Sequence, residues 1–219
     1  MLRKDKALLE GLTRKYGKDV VINEMTRGIQ SKYTPSELYD MIEIPNDYFA
    51  GRDDLKKIVI PNNIKKIGYQ AFENCDNLTS VTIPDSVTTI GSSAFWTCHN
   101  LTSVRISNSI NEIKPSTFAY CFNLRSVNIP DSVTTIGAGS FTGCDSLTSI
   151  TIPDSVTTIG NYAFYGCGNL TSIIIPDSVT TIGERAFAYC YSLTSVTIPD
   201  SVTTIGRQAF PPHIKIIRK

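Results

Sequence analysis

The chain has 219 residues, of which 41% are hydrophobic, so it is long enough and apolar enough to bury a substantial core. Its 21 Lys and Arg residues balance 20 Asp and Glu residues, so no strong field attracts nucleic acid or an acidic membrane surface. The longest apolar runs, such as residues 173–175, are far too short to span a bilayer, so neither nucleic-acid binding nor membrane insertion is predicted.

Residues 1–40 are predicted to be helical. Apolar residues with helical spacing extend from Leu2 to Tyr16, and Gly17 follows as a helix end. Residues 34–37 (Thr-Pro-Ser-Glu) have the composition of a capped helix start. We expect an N-terminal helical cap that covers the open end of the repeats downstream. The alternative is that this segment is a separate docking module.

From residue 41 onward the chain repeats itself every 23 residues. Leucines keep this step at Leu55, Leu78, Leu101, Leu124, Leu147, Leu170 and Leu193. The six cysteines keep it at Cys75, Cys98, Cys121, Cys144, Cys167 and Cys190. A period in the twenties is typical of a solenoid, whose coils bury their apolar faces against their neighbours. We predict a solenoid over residues 41–219, with a half repeat at 41–54, seven repeats from 55 and a C-terminal capping strand near 213–219.

A single repeat, such as residues 78–100, predicts four elements. Alternating apolar residues in 78–83 indicate a short strand. The Pro-Asp-Ser sequence at 84–86 indicates a turn, and the β-branched residues 87–90 indicate a second extended piece. The i, i+3 spacing of Phe95 and Cys98 predicts one helical turn that points both side chains inward. The expected fold class is therefore an α/β repeat solenoid.

The consensus L-x-x-V-x-I-P-x-x-V-x-x-I-G-x-x-A-F-x-x-C resembles the BspA-type leucine-rich repeat, which is also described from treponemal surface proteins. The resemblance extends from about Met41 to the C-terminus. It implies a right-handed, curved solenoid with a parallel β-sheet on the concave face and short helical turns outside. One repeat departs from the consensus, with Ser107 for proline, Lys114 for glycine and Thr117 for alanine, and we expect this coil to be weaker.

Each repeat holds one cysteine at an inward position, so the even number of cysteines follows from the number of repeats. Cα atoms of stacked coils lie roughly 5 Å apart. Parallel side chains nevertheless keep the Cβ atoms farther apart than a disulfide requires. We therefore predict six buried free thiols, which favour a reducing compartment.

The sequence contains no recognisable catalytic or metal-binding constellation. The two histidines, His99 and His213, lie in unrelated contexts, and there is no CxxC, HExxH, P-loop or dinucleotide-binding motif. Aspartates recur after the turn proline, but each has a local turn role and no glycine-rich calcium loop accompanies them. These aspartates are Asp85, Asp131, Asp154, Asp177 and Asp200. We predict a non-enzymatic protein with no metal and no cofactor.

Solvent-facing positions that differ between repeats are the candidate ligand-binding positions. Aromatic residues follow the phenylalanine and the cysteine in several repeats, and rigid aromatic side chains provide contact area at low entropic cost. We call this set the aromatic stripe: Trp96, Tyr120, Phe122, Tyr165, Tyr189 and Tyr191. The alternative is that these rings pack over neighbouring coils. The outward positions of the first strands form a rival surface, on which Arg105 is the candidate residue.

The sequence therefore predicts a monomeric module that binds a protein partner of unknown identity. The family resemblance implies an adhesin-like protein at the cell surface or secreted. The charged N-terminal residues 1–21 contain no apolar core of a signal peptide, which leaves a cytoplasmic location open. An intracellular or virion-associated scaffold that uses the same solenoid is the alternative.

Overall fold

The structure, a computed structural model, describes residues 41–219, which form a parallel β-solenoid of about eight coils. A complete coil contains a first strand, a turn, a second strand and a longer turn segment that leads to the next coil. The parallel repeat solenoid predicted from the 23-residue period is confirmed. The predicted helical cap at residues 1–40 lies outside the described residues.

The first strands of successive coils lie side by side and form the first sheet. Alternation along each strand sends the central residue, such as Val81 or Val104, into the core. Each residue pairs with its equivalent one repeat later, as Thr82 does with Arg105. Hydrogen-bonded ladders join the first four strands, the next two and the last two. The strands are β2 (Lys57–Val59), β4 (Ser80–Thr82), β6 (Ser103–Arg105), β8 (Ser126–Asn128), β10 (Ser149–Thr151), β12 (Ser172–Ile174), β14 (Ser195–Ile198) and β16 (Lys215–Arg218).

The second strands form the second sheet, in which each strand has two residues and the isoleucine of each pair packs against the core. β-Branched residues favour this extended backbone. The strands are β1 (Glu43–Ile44), β3 (Lys66–Ile67), β5 (Thr89–Ile90), β7 (Glu112–Ile113), β9 (Thr135–Ile136), β11 (Thr158–Ile159), β13 (Thr181–Ile182) and β15 (Thr204–Ile205). Hydrogen bonds connect β1 through β5 and β7 through β15, with an interruption between β5 and β7.

This interruption lies in the repeat in which Lys114 replaces the glycine that follows the second strand. At the equivalent Gly91, an added Cβ would lie 2.5 Å from the backbone of Gly68 in the preceding coil. Coils come this close only because glycine has no Cβ. We infer that the Cβ of Lys114 prevents the same approach, so the ladder between β5 and β7 does not form. The second sheet is thus interrupted at the repeat that departs from the consensus, and the weakening of this coil stays a prediction.

The turn segment is not helical, so the predicted helical turn is wrong, and residues 41–219 contain no helix. Ser93 and Thr97 have φ angles of 55°, in the left-handed region, whereas an α-helix needs negative φ throughout. The Phe95 N–H donates to the Thr117 carbonyl of the next coil at 2.9 Å, instead of to a carbonyl four residues earlier. The turn segments therefore form a third ladder between coils, which we call the turn ladder.

The core is built from identical residues stacked from coil to coil. Phenylalanine rings form one continuous stack, in which Phe72 and Phe95 have centroids 4.9 Å apart and planes within 2°. The rings are Phe49, Phe72, Phe95, Phe118, Phe141, Phe164, Phe187 and Phe210. All but the last are fully buried. Aromatic pairs at such distances stabilise a fold beyond the area they bury.

The C-terminal strand β16 pairs with β14 and continues the first sheet. All four of its residues are exposed, including Ile216 at 51% and Ile217 at 42%. Lys215 and Arg218 flank these isoleucines. Charged side chains on an edge strand oppose its pairing with another chain.

The glycine that follows the second strand is expected to be essential for stacking. At Gly183 an added Cβ would lie 2.4 Å from the Asn161 nitrogen of the preceding coil. We therefore expect Gly183→Ala to lower the free energy of unfolding by about 1–3 kcal/mol, as overpacked substitutions do. Urea denaturation measures the change. Gly168→Ala is the control, because an added Cβ there meets only Asp145 Oδ1 at 4.0 Å. Equal stability of the two variants would contradict the close-approach explanation.

Candidate binding surface

The turn ladder positions the aromatic stripe on the outside of the solenoid. Phe118 and Cys121 point into the core, whereas Tyr120 and Phe122 next to Cys121 point outward. The most exposed members of the stripe are Tyr191 at 67% and Tyr189 at 48%, followed by Phe122 at 42% and Tyr120 at 40%. The two remaining members, Trp96 and Tyr165, are half-buried.

Three members of the stripe form a first cluster together with His99. The ring centroids of Trp96 and Tyr120 lie 6.3 Å apart, and those of Tyr120 and Phe122 lie 6.1 Å apart. The His99 imidazole stacks on Phe122 at 5.0 Å with an interplanar angle of 1°. Its Nδ1 atom lies 2.8 Å from Asp76 Oδ1. Asp76 and His99 stand at variable outer positions of the repeat but are not among the predicted ligand-binding residues.

The other three members form a second cluster together with Tyr162. Tyr165 contacts Tyr162 and Tyr189 at centroid distances of 5.6 and 4.9 Å, and Tyr189 contacts Tyr191 at 5.8 Å. The Arg185 guanidinium lies over the Tyr162 ring at 6.0 Å. Partial desolvation and the neighbouring Tyr189 phenol raise the pKa of Tyr165. Tyr162, which is not among the predicted ligand-binding residues, therefore belongs to the same surface.

Glycines separate the two clusters. The Tyr120 ring lies over Gly143, where an added Cβ would come within 2.9 Å of Tyr120 Cδ1. Above Gly166 the space is open, because an added Cβ would meet only the Gly143 backbone at 3.8 Å. The stripe is therefore two aromatic clusters on either side of a low, glycine-lined region. Some rings pack over neighbouring coils, as Tyr120 does, and still expose a large part of their surface.

A cavity of about 400 Å³ opens beside the second cluster, where the repeat ends. Tyr189 and Tyr191 form one side, and Phe210, Pro212 and His213 form the other. Pro211 and Pro212 turn the chain away from the path that the turn ladder follows in earlier coils. The volume lies in the range typical of ligand pockets, and Arg185 and Gln208 add polar groups to the aromatic and proline side chains of the wall.

Arg105, the candidate on the rival surface, is not brought together with the aromatic stripe. It lies on strand β6 of the first sheet, where its Nη2 atom is 3.3 Å from Asp85 Oδ2. The Asn108 N–H also donates to Asp85 at 2.9 Å, and these contacts lower the pKa of Asp85. Arg105 thus fastens an irregular turn to the preceding coil. Ile174 on strand β12, further along the same sheet, is 81% exposed.

All six cysteines are buried and free, as predicted from the repeat geometry. Each thiol donates to the carbonyl of a phenylalanine in the preceding coil, as Cys98 does to Phe72 at 3.0 Å and Cys144 to Phe118 at 3.3 Å. Burial raises the pKa of Cys75 to about 12 and that of Cys190 to about 12. The thiols are therefore structural donors that are protected from reaction.

Within residues 41–219, no three or more His, Cys, Asp or Glu side chains are grouped so that they could hold a metal ion. The same part of the chain has no helix long and apolar enough to cross a membrane. The three surfaces described so far are the aromatic stripe, the outward face of the first sheet and the C-terminal cavity.

The fold and the period define a leucine-rich-repeat solenoid. The sequence matches the family described as "BspA type Leucine rich repeat region" in six copies, over residues 42–167 and 111–217. The chain belongs to the BspA-type leucine-rich repeat family. No curated protein matches the sequence.

Three solved bacterial structures are similar to this solenoid. A leucine-rich repeat protein of T. pallidum is 29% identical with a TM-score of 0.64, over 70% of this chain and 72% of that one. A leucine-rich cell surface protein of Faecalibacterium prausnitzii is 30% identical with a TM-score of 0.63, over 81% of this chain and 64% of that one. A leucine-rich repeat protein of Eubacterium ventriosum is 32% identical with a TM-score of 0.59, over 62% and 37%. The chain spans less than two thirds of the second and third proteins.

Proposed function

We propose that this protein is a non-enzymatic, adhesin-like recognition module that acts at the cell surface or after secretion and binds a protein partner through the aromatic stripe. The observation that carries the proposal is the grouping of exposed aromatic side chains into two clusters on one surface. The similarity to a protein described as a cell surface protein supports the location.

The choice of surface rests on energetics. Interface hot spots are mostly aromatic or Arg side chains, whose truncation costs about 2 kcal/mol or more. The stripe offers Tyr189 and Tyr191 with large exposed areas, already positioned by ring contacts. The central strands of the first sheet offer mainly Thr and Asn on their outward side, and Arg105, the arginine among them, is engaged with Asp85. The stripe is therefore the better anchor.

An intracellular or virion-associated scaffold is the second candidate, and the six free thiols favour it. Free cysteines persist most readily in a reducing compartment. Burial and the raised pKa values protect these thiols, however, so an oxidising compartment is also compatible with them. Labelling of intact cells with a membrane-impermeant biotin reagent decides between the two. Labelling only after lysis would contradict the surface location.

The binding surface is tested with two double variants and a partner isolated by affinity capture. We expect Tyr189→Ala with Tyr191→Ala to weaken binding by about thirtyfold or more, which corresponds to roughly 2 kcal/mol. The matched control on the first sheet, Arg105→Ala with Ile174→Ala, should change the affinity less than about threefold. Both are compared by calorimetry after thermal melting has shown that each is folded. Loss of binding in the first-sheet variant alone would refute the assignment to the stripe.

A further inference from the structure

The two aromatic clusters are copies of each other, because each residue of the first cluster has its counterpart three coils further along the chain. Sixty-nine residues, three times the 23-residue period, separate each member of the first cluster from its counterpart in the second. The matched pairs are Trp96 with Tyr165, Tyr120 with Tyr189, Phe122 with Tyr191 and Asp76 with Asp145. Equivalent positions three coils apart have the same backbone setting, as the φ angles of 60° at Tyr120 and 63° at Tyr189 show.

The copies differ in the residues between the acid and the last aromatic ring. The first copy has Asn74, Thr97 and His99, and the second copy has glycine at all three equivalent positions: Gly143, Gly166 and Gly168. In the first copy Thr97 donates a hydrogen bond to Asn74, so side chains fill the surface between the acid and the last aromatic ring. In the second copy the glycines contribute no side chains, so the space above Gly166 and Gly168 is open, although the Tyr120 ring lies over Gly143.

His99 shows which kind of group fits this arrangement. Its imidazole lies between an acid and an aromatic ring, with Nδ1 2.8 Å from Asp76 Oδ1 and the ring stacked on Phe122 at 5.0 Å. A carboxylate on one side and an aromatic face on the other together favour a flat group that can carry positive charge. The first copy therefore contains its own planar nitrogen base.

The second copy keeps the acid and the aromatic ring without that base. Asp145 Oδ1 lies 4.0 Å from the point that a Cβ on Gly168 would occupy, and apart from the chain neighbours of Gly168 no other described atom lies within 4 Å of it. Within residues 41–219 the Asp145 carboxylate has no Lys, Arg or His nitrogen within 4.0 Å, whereas Asp76 has His99 Nδ1 and Asp85 has the Arg105 guanidinium. Tyr191, at the position of Phe122, is 67% exposed.

We propose that the space above Gly168 binds an arginine side chain of the protein partner, in the position that the His99 imidazole takes in the first copy. The guanidinium pairs with the Asp145 carboxylate and stacks on the Tyr191 ring. Arginine suits this space better than lysine, because its guanidinium is planar, stacks on aromatic faces and meets a carboxylate with two N–H groups. This inference rests on the proposal that the aromatic stripe binds protein.

The test is an NMR titration of the whole protein with N-acetyl-arginine amide as the probe. N-acetyl-citrulline amide has nearly the same shape without the positive charge, and N-acetyl-lysine amide has the positive charge without a planar group. We expect the arginine compound to shift the signals of Gly168 and Tyr191 in a saturable way, with at least about threefold tighter binding than either comparison compound. Equal binding of the three compounds, or no shift at Gly168, would overturn the proposal.

Two variants locate the effect, and each has a matched control. Asp145→Asn should weaken binding of the arginine compound by about threefold to fivefold, whereas Asp154→Asn, which changes an exposed carboxylate in a turn, should not. Gly168→His should abolish the shifts by filling the space, and Thr151→His on the first sheet should leave them intact. Full binding to Gly168→His would place the arginine elsewhere and overturn the inference.

The outcome is separable from that of the proposed function. If the arginine compound fails to bind while the Tyr189 and Tyr191 double variant still loses the captured partner, the aromatic stripe binds protein without an arginine anchor. If that double variant retains the partner, the proposed function itself fails, whatever the titration shows.

Discussion

Above about pH 9, the ordinary value for a thiol, the free energy of unfolding is expected to fall steeply, because six thiols are buried in their neutral form. Burial raises the pKa of Cys75 and of Cys190 to about 12. It also raises the pKa of the other four thiols above 9.0: Cys98, Cys121, Cys144 and Cys167.

The sign follows from proton release on unfolding. In the unfolded chain each thiol returns to its ordinary pKa, so above pH 9 it loses a proton that the folded chain keeps. The stabilisation is fully present below pH 9 and is lost as the pH rises towards about 12. One such group changes the free energy of unfolding by about 1.4 kcal/mol per pH unit. When all coils unfold together, the six thiols amount to about 8 kcal/mol per pH unit.

Thermal melting followed by circular dichroism between pH 7 and pH 11 measures this effect. The control is Cys144→Ser, whose hydroxyl keeps a donor for the Phe118 carbonyl that Cys144 meets at 3.3 Å. It removes one of the six titrating groups, so the pH slope should decrease by about one sixth. A melting temperature that stays constant up to pH 11 would contradict the buried neutral thiols.

The parallel ladders could be predicted from the sequence because stacked coils repeat the same residues. A spacing of 23 residues places each strand residue beside its equivalent, and the observed registers, such as Val81 with Val104, follow it. The prediction of a helical turn was wrong because the i, i+3 spacing of Phe95 and Cys98 also fits a series of consecutive non-helical turns. Gly139 and Gly143 have positive φ, and glycine at these two positions was the sequence signal for a left-handed backbone. Other repeats have Ser, Thr or Tyr at the equivalent positions, so the signal was not visible in them.

The candidate surface was only partly predictable. Comparison of adjacent repeats found the six aromatic residues, because they are the variable residues beside fixed core positions. Their division into two copies follows a step of three coils, which a comparison of neighbouring repeats does not reveal. Asp85 accepts hydrogen bonds from Arg105 and from the Asn108 N–H in an irregular turn, and no spacing rule predicts that turn.

The phenylalanine stack makes the middle of the solenoid its most sensitive part. The Phe141 ring lies between Phe118 at 5.6 Å and Phe164 at 5.3 Å, and it is fully buried. Phe210, at the end of the stack, is half-buried and has one ring neighbour, Phe187, at 5.2 Å. Because each coil contacts only its neighbours, the coupling between the two halves of the array passes through the central coil.

We therefore expect Phe141→Ala to lower the free energy of unfolding by about 3–5 kcal/mol, and Phe210→Ala to lower it by roughly half as much. Phe141→Ala should also separate the two halves, because the cavity removes both ring contacts of the central coil. The single tryptophan, Trp96, lies on the N-terminal side, so its fluorescence follows that half while circular dichroism follows the whole array. The two urea transitions should coincide in the unmodified protein and in Phe210→Ala, and diverge in Phe141→Ala. Coincident transitions in Phe141→Ala would show that the sheets alone couple the halves.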